Sequence, residues 1–396
     1  MKSKILGMAL FAITLAVVAY YPHLQAKTIV PDETPHIAID TGQTPKIDVV
    51  FVLDTTGSMG GLIQTAKEKI WAIASTMASA QPTPELRIGL VAYRDRGDAY
   101  VTRVVDLSDD LDSVYATLMD FQADGGGDGP EAVNKALYDA VHEMSWSSDG
   151  QVYRSIFLVG DAPPHMDYNE VQYPDIVAAA AQKGIVVNTI QCGEMAATAL
   201  PWTQIASLGN GSFFQVEQAG GAVAYSTPYD VEIAELSAKL DETRLYYGSK
   251  AERERMDAKM AATEIVVTGS SVESLARRGA FNASEGGRKN MLGEQELVAA
   301  VTDGAVKLED IERDQLPEAL KPMAPEEQEA FVQSLAEDRA ELKRKIRQLA
   351  KDRNEFIASK VAAEGGAEDS LDYQFYEAVK EQAEVAGFEY SDGPAY

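Results

Sequence analysis

Oxygen-bearing side chains recur in three short segments of the sequence, each next to an apolar run. They are Asp54, Thr56 and Ser58 in the first loop (residues 54–58), Asp124 and Asp128 in the second loop (124–131), and Asp161 in the third loop (160–165). Carboxylates and hydroxyls make a site of hard oxygen ligands, which suits Mg²⁺, Ca²⁺ or Mn²⁺ better than zinc or copper. Because Mg²⁺ keeps some of its waters, such a site can leave one coordination position open for a carboxylate of a partner.

The apolar runs beside these loops predict the elements that bring them together. Residues 47–53 form a short β-branched run that is typical of a strand buried on both faces. Further strands are predicted at 86–93, 100–105, 156–159, 185–191 and 212–216. Because helical patterns alternate with them, we predict an α/β fold with a doubly wound, mostly parallel sheet. Ligands of such sheets bind beyond the carboxyl ends of the strands, where all three loops would lie.

Local signals also predict where two helices of this part begin. Ser108 is suited to cap a helix whose apolar positions run from Leu111 to Phe121. Residues 131–144 indicate another helix, so the second loop lies directly before a helix start.

The loop residues carry a resemblance to a known family. Residues 54–58 read Asp-Thr-Thr-Gly-Ser and resemble the Asp-x-Ser-x-Ser signature of von Willebrand factor A domains, whose metal site is called the metal-ion-dependent adhesion site. Asp161 matches the family's later aspartate, which usually reaches the ion through water. The resemblance covers about half of the chain and implies that Asp54, Thr56, Ser58 and Asp161 are metal ligands.

Two positions depart from the family pattern. Thr56 replaces a serine and keeps the hydroxyl. The family's middle threonine is missing, and Asp128, in Gly-Gly-Gly-Asp, stands nearest to it and is the fifth expected ligand. This variant resembles a bacterial branch of the family and the domains found beside atypical alpha-kinases. The added carboxylate should make the cation less electrophilic toward a partner's carboxylate and more tolerant of Ca²⁺. An ion that only braces the loops is the alternative.

The first 46 residues differ from the rest of the chain. Residues 1–26 combine Lys2 and Lys4, an apolar run up to Tyr21 and the small residue Ala26, which is the layout of a secretory signal peptide. An uncleaved anchor in the inner membrane is the competing interpretation. Residues 27–46 are predicted to be a linker. Both interpretations place the remainder outside the cytoplasm, as a periplasmic or secreted protein.

The alternation of strands and helices ends near residue 240. We therefore predict one domain over residues 47–240 and a mainly α-helical C-terminal region over 241–396. A charged pattern near 325–362 carries an apolar stripe with spacings of three, four or seven residues. It is typical of a coiled coil or of a long helix packed on its neighbours, and we favour the second interpretation.

The C-terminal region also contains a basic cluster in an acidic chain. Its members, around the glycine-rich residues 279–287, are Arg277, Arg278, Arg288 and Lys289. Three interpretations stay open, because the cluster could dock the acidic tail, hold an anionic partner or belong to a solvated loop.

Charge and cysteine content exclude several classes of function. The formal net charge of −27 repels nucleic acid phosphates and anionic lipid, so we expect neither partner, apart from a membrane that holds an uncleaved N-terminal segment. The single cysteine, Cys192, permits neither a disulfide within the chain nor a cysteine-based zinc site. It ends an apolar run and is predicted to be buried.

The sequence gives little support to an enzyme. Ser58 lacks the Gly-x-Ser-x-Gly setting of hydrolases, and no phosphate-binding loop is present. His165 follows the third loop and, like Asp124, could lie near the ligand position. We therefore predict an exported protein that binds another protein through a divalent cation. The alternatives are a scaffold whose helical region binds the partner and a metal-assisted hydrolase.

Overall fold

The computed structural model describes residues 44–127, 129–148, 150–218, 225–364, 371–390 and 393, which belong to one compact unit, Gln43–Tyr396. The predicted signal peptide or anchor, most of the predicted linker, Asp128 and most of the acidic tail lie outside these ranges. None of the helices in the described ranges is long and apolar enough to span a bilayer.

A twisted sheet organises the described part of the chain. Its six strands are β1 (Lys46–Asp54), β2 (Glu85–Tyr93), β3 (Thr102–Ser108), β4 (Val152–Gly160), β5 (Ile185–Cys192) and β6 (Asn210–Val216). They lie in the order β3-β2-β1-β4-β5-β6, and only the β2–β3 pair is antiparallel. The predicted mostly parallel sheet is therefore confirmed. Since β1 and β4 are neighbours, the first and third loops leave the same edge side by side.

Helices cover both faces of the sheet and continue beyond it. They are α1 (Gly60–Ala78), α2 (Leu111–Met119), α3 (Val133–His142), α4 (Tyr173–Gln182), α5 (Ala196–Leu208), α6 (Asp230–Asp241), α7 (Lys250–Gly269), α8 (Val272–Ala283), α9 (Arg288–Leu292), α10 (Leu297–Thr302), α11 (Pro325–Glu364) and α12 (Leu371–Val385). Short 3₁₀ turns lie at Gly57–Met59 and Leu308–Asp310.

The alternation of side chains along β1 explains the two layers of helices. Val49 and Phe51 belong to a core with α1, α2 and α12, whereas Val50 and Val52 belong to a second core with α3, α4 and α5. Successive strand residues point to opposite faces, so a continuously apolar strand needs cover on both sides.

The last helix, α12, packs on the sheet itself. Phe375 packs against Phe157 of β4, with ring centroids 4.7 Å apart and the ring planes tilted by 38°. Gln382 accepts a hydrogen bond from the Tyr153 hydroxyl at 2.7 Å and donates one to the Asn188 side chain at 2.8 Å. Residues that follow position 240 therefore complete the core of the α/β fold.

The long helix α11 packs against neighbours within this chain. Ile346 is fully buried in a cluster with Ile233 of α6 and Ala276 of α8. Nearer its start, Arg339 donates hydrogen bonds to both carboxylate oxygens of Glu296, at 2.8 and 2.9 Å. The apolar stripe in the sequence thus contacts α6 and α8.

One local prediction was wrong, and one of the open interpretations fails. Strand β3 continues through Ser108, and α2 is capped by Asp110, whose carboxylate accepts a hydrogen bond from the Ser113 backbone nitrogen at 3.4 Å. The solvated-loop interpretation of the basic cluster also fails for Arg277 and Arg278, which are buried in α8. The acidic partners that compensate the Arg278 charge are remote in sequence, so the local pattern did not reveal them.

Candidate metal centre

The first loop brings its polar side chains together as the spacing suggested. Asp54 is the last residue of β1 and has no exposed surface. The Thr56 backbone nitrogen and hydroxyl both donate to Asp54 Oδ1, at 2.8 and 2.6 Å. Ser58 Oγ lies 3.4 Å from Thr56 Oγ1 and is exposed. Alternate residues of this turn therefore point toward one centre.

The second carboxylate oxygen of Asp54 is the most unusual atom of the centre. Asp54 Oδ2 is buried and accepts no hydrogen bond within the part of the chain that the structure describes. Burial raises the pKa of Asp54 to about 7; the hydrogen bonds from Thr56 oppose this shift, the Asp161 carboxylate adds to it, and the Asp161 backbone opposes it as the smallest cause. A buried carboxylate normally has a compensating partner, and a cation is such a partner.

Tyr93 and Gly160 confine this atom, and the sequence analysis missed both. A Cβ placed at Gly160 would lie 2.4 Å from Tyr93 Oη and 3.0 Å from Asp54 Oδ2, so only glycine permits this approach. Tyr93 Oη is also buried without a hydrogen-bond partner in the described residues. Burial, followed by the charges of Asp54 and Glu131, raises the pKa of Tyr93, which therefore stays a neutral hydroxyl.

Asp161 supplies the second carboxylate near Asp54. Its Oδ2 accepts a hydrogen bond from Gln218 Nε2 at 2.7 Å, and its backbone carbonyl accepts one from the Thr198 hydroxyl at 2.7 Å. Trp202 Nε1 donates to the next carbonyl, of Ala162, at 3.1 Å. The third loop is thus fixed from its outer side by α5 and by Gln218, the second residue after β6.

The second loop lies against the first through backbone hydrogen bonds. The Asp124 nitrogen donates to the Thr55 carbonyl, and the Gly57 nitrogen donates to the Gly125 carbonyl, both at 3.1 Å. The Asp124 side chain is 81% exposed and lies 3.6 Å from the Arg94 guanidinium. The loop is therefore positioned at the centre, while the Asp124 carboxylate is engaged with Arg94 at the protein surface.

Asp98 holds the glycines of the second loop. Its Oδ2 accepts hydrogen bonds from the Gly126 nitrogen at 3.0 Å and from the Asp95 nitrogen at 3.1 Å. Gly125 and Gly126 have φ values of 79° and 76°, which favour glycine. A Cβ on Gly125 would also lie only 2.5 Å from the Asp98 carboxyl group. Gly125 is therefore favoured by both the backbone and the available space, and Gly126 chiefly by its backbone.

Glu131 is a further buried acid that the sequence analysis assigned only to a helix start. Its backbone nitrogen donates to the Pro163 carbonyl at 2.9 Å, and its carbonyl accepts from the His165 nitrogen at 3.1 Å. Its carboxylate approaches Gly126, where a Cβ would lie 3.2 Å from Oε1 and 3.3 Å from the Thr56 Cβ. The sequence feature that could have indicated a place for Glu131 beside the first loop is its position directly after Gly129 and Pro130 of the second loop.

His165 belongs to a neighbouring cluster of polar and aromatic side chains. Its ring stacks on Tyr168 with centroids 3.9 Å apart. Nδ1 lies 2.8 Å from an Asp167 oxygen, and Nε2 lies 3.5 Å from Asp95 Oδ2. The Tyr168 hydroxyl donates to the same Asp95 carboxylate. These contacts hold the third loop against the segment that follows β2.

The oxygen atoms brought together are of the type that small, hard cations prefer. Within the described ranges, no three His, Cys, Asp or Glu side chains are grouped so as to hold a metal by themselves. The centre instead combines the Asp54 and Asp161 carboxylates with the Thr56 and Ser58 hydroxyls. Such a mixed set requires water or a further ligand to complete the shell, as Mg²⁺ sites commonly do.

Comparison with known proteins identifies the class of domain to which the sheet and its loops belong. The family model described as von Willebrand factor A domain matches residues 48–227. Residues 48–227 of this chain form a von Willebrand factor A domain, which confirms the resemblance inferred from the loops.

Two relatives illustrate the match. The von Willebrand factor A domain-containing protein 7 of Mus musculus is 36% identical over 121 residues, which cover 31% of this chain and 12% of the relative. The alpha-protein kinase vwkA of Dictyostelium discoideum is 26% identical over 121 residues, or 30% of this chain and 19% of the kinase. The predicted similarity to domains of alpha-kinases is thereby confirmed. The alignments span less than a fifth of either relative.

Solved structures resemble part of the chain. BatB from Bacteroides thetaiotaomicron is 17% identical, with a TM-score of 0.33, over 43% of this chain and 90% of that protein. Proximal thread matrix protein 1 from the mussel byssus, with a zinc-occupied MIDAS motif, is 17% identical, with a TM-score of 0.36, over 44% of this chain and 42% of that one.

Proposed function

We propose that this chain is an exported, non-enzymatic binding protein that holds a divalent cation at the carboxyl edge of its sheet and captures another protein there. The observation that carries the proposal is the buried Asp54 carboxylate, whose Oδ2 lacks a hydrogen-bond donor within the described residues. A bound cation would supply the missing charge. Asp54, Thr56, Ser58 and Asp161 would hold it, and Asp128 remains an expected ligand that lies outside the described residues.

The chemistry of these residues favours Mg²⁺, with Ca²⁺ or Mn²⁺ as substitutes. Thr56 already donates its proton to Asp54, so the oxygen lone pairs of its hydroxyl are available to a cation. Ser58 is exposed and sits where the centre meets solvent. When bound, the cation would offer a Lewis-acidic position to a carboxylate of the partner protein, while Tyr93 and Gly160 exclude water from the inner side.

The proposed location rests on the first 26 residues. A basic start, an apolar run and a small residue at position 26 support export to the periplasm or beyond, or anchoring in the inner membrane. The acidic net charge of −27 argues against nucleic acid as the partner.

Metal binding can be tested by chemical unfolding of the chain with EDTA or with excess Mg²⁺, Ca²⁺ or Mn²⁺. A ligand that binds only the folded state stabilises it by roughly 2.7 kcal/mol at a hundred times its Kd. We expect this gain in the parent and its loss in Asp161→Ala, which removes the second carboxylate. The matched control Asp175→Ala changes an exposed aspartate in the first turn of α4 and should keep the full gain. Equal gains in both variants would refute the assignment of Asp161.

Partner capture can be tested separately, with the immobilised chain and the exported proteins of its source. We expect a partner to be retained in Mg²⁺ and released by EDTA. Ser58→Ala should reduce this retention at least about tenfold, because it removes one of the proposed oxygen ligands of the cation. Ser359→Ala, at an exposed serine of α11, is the control.

Capture that persists in EDTA and in Ser58→Ala, with metal-dependent stabilisation intact, would establish the alternative. The ion would then only brace the loops, and the helical region would bind the partner. Metal-dependent turnover of a phosphoester that disappears in Asp161→Ala would establish the hydrolase instead.

A further inference from the structure

A cleft of about 850 Å³ lies between α1, α8 and α11. It is lined by the last turns of α1, including Ala72 and Ala78. Because α1 starts at the carboxyl edge and has 19 residues, its last turn lies roughly 25 Å from the candidate metal centre. The cleft is therefore separate from that centre, and its volume falls in the range of small-molecule sites.

One part of the cleft surface is apolar. Ala78, Ala280 and Phe281 line it together with Ala358. The Phe281 ring also contacts Trp71, with ring centroids 5.9 Å apart. These side chains offer a wall against which a hydrocarbon chain or an aromatic ring can pack.

The rest of the cleft is strongly basic in a chain whose net charge is −27. The cationic residues that line it are Arg277, Arg347, Lys351 and Arg353, and the acidic residue is Glu355. Arg353 is buried and paired with Asp230 at 2.7 Å. Arg347 donates to the Ala283 carbonyl at 3.2 Å but is exposed at the mouth, and Lys351 lies 3.9 Å from Glu355.

A further cationic residue, Lys343, lies on the same helix as Arg347 and Lys351 but does not line the cleft. Lys343 lies one turn before Arg347 on α11. Burial first, and then the neighbouring Arg339, Arg288 and Arg347, lower the pKa of Lys343 to about 8, with only Glu285 opposing them. The three arginines therefore disfavour a further positive charge at Lys343, one turn from the mouth of the cleft.

We propose that this cleft binds an amphipathic carboxylate, that is, a small anion with an apolar chain or ring. The apolar body would lie against Ala280 and Phe281, and the carboxylate would lie between Arg347 and Lys351 at the mouth. Guanidinium groups recognise carboxylates through paired hydrogen bonds, and an apolar wall excludes water beside them. The inference does not depend on the metal centre.

Titration with dodecanoate tests the proposal, with the fluorescence of Trp71 as the readout. Trp71 touches Phe281 and should respond when the cleft is filled. We expect saturable binding of dodecanoate and at least about tenfold weaker binding of dodecanol and of dodecyltrimethylammonium, which share its chain but not its charge. The signal should disappear in Trp71→Phe, which leaves Trp146 and Trp202 unchanged. Equal binding of all three probes, or none, would overturn the proposal.

The residues that bind the carboxylate can be identified with variants of α11. The substituted residues are exposed, so the variants should keep the fold. Arg347→Gln with Lys351→Gln should weaken dodecanoate binding about tenfold or more. Arg344→Gln with Lys345→Gln removes the same charge from exposed positions on the same helix, outside the cleft, and should change the affinity less than about twofold. Equal losses in the two double variants would mean that only the net charge matters, and the assignment would be wrong.

Discussion

Asp54→Asn is expected to make the metal-free protein more stable and to abolish its response to divalent cations. The Asp54 carboxylate is fully buried, one of its oxygens accepts no hydrogen bond within the described residues, and the Asp161 carboxylate is near. Asparagine keeps the shape and an oxygen that can accept from Thr56, but it removes the charge. On the proposed function, Asp54 lowers the stability of the ion-free fold and contributes to binding the ion.

The size and sign of the stabilisation expected for Asp54→Asn follow from the pKa of Asp54. Burial raises this pKa from 3.8 to about 7, so the folded state holds a proton that the unfolded state releases between these values. The contribution of Asp54 to the free energy of unfolding therefore falls as the pH rises through this window, by on the order of a few kcal/mol. In EDTA, the asparagine variant should gain this amount at pH 8 and little at pH 4.

Asp48 is a matched control on the same strand. It is as fully buried as Asp54, but it accepts hydrogen bonds from Arg87 Nε at 2.9 Å and from the Ser147 nitrogen at 2.7 Å. Asp48→Asn should therefore destabilise the protein, because Arg87 loses its charged partner. Urea unfolding at both pH values compares the two variants. If Asp54→Asn destabilised the chain as Asp48→Asn does, Asp54 would be structural and the proposed function would lose its main support.

The sequence predicted the parts of the fold that depend on local pattern. An apolar run such as β1 needs cover on both faces whatever its neighbours are, so the doubly wound sheet followed from the run itself. Asp54, Thr56 and Ser58 are close because they are alternate residues of one turn. Asp161 could be added because parallel strands end at the same edge.

Residues whose role depends on distant contacts could not be recognised in this way. Tyr93 ends a strand like many core tyrosines, and only its approach to Gly160 in three dimensions places the hydroxyl beside Asp54. Ser108 and Asp110 are both good capping residues, and the pairing of β3 with β2 decided between them. Arg278 belongs to a basic cluster for which the sequence left three interpretations open, and none of them included its partner Asp112, which lies 166 residues away in sequence.

Replacing Arg278, the partner of Asp112, is expected to cause the largest loss of stability. Arg278 is 1% exposed and donates to both oxygens of Asp112, at 2.7 and 2.6 Å, and to Asp241 at 2.7 Å. Arg278→Met keeps most of the volume but leaves the buried Asp112 carboxylate without the guanidinium that contacts it, while Asp241 keeps Arg244 at 3.4 Å. Breaking a buried ion pair from one side costs about 3–5 kcal/mol. Arg288→Met is the control, because its pair with Asp303 is nearly half exposed and is worth at most about 1 kcal/mol.

The pH dependence of this loss separates charge from packing. Burial alone would raise the pKa of Asp112, but Arg278 and the neighbouring Lys259 hold it well below its usual range. The stability from this pair is therefore present above about pH 4 and is lost as the pH falls below that value. The difference between Arg278→Met and the parent should shrink toward acid pH. A pH-independent difference would mean that the loss is one of packing alone.

The same variant tests how the helical residues after 240 are joined to the α/β fold. Asp112 lies in α2 beside the sheet and Asp241 ends α6, so Arg278 of α8 links the two regions at one buried point. The parent should unfold in a single transition, with Trp71 fluorescence and circular dichroism changing together. If Arg278→Met separates these transitions, the pair couples the helical region to the sheet. Asp112→Asn should then restore part of the lost stability in the double variant, since replacing both partners removes the uncompensated charge.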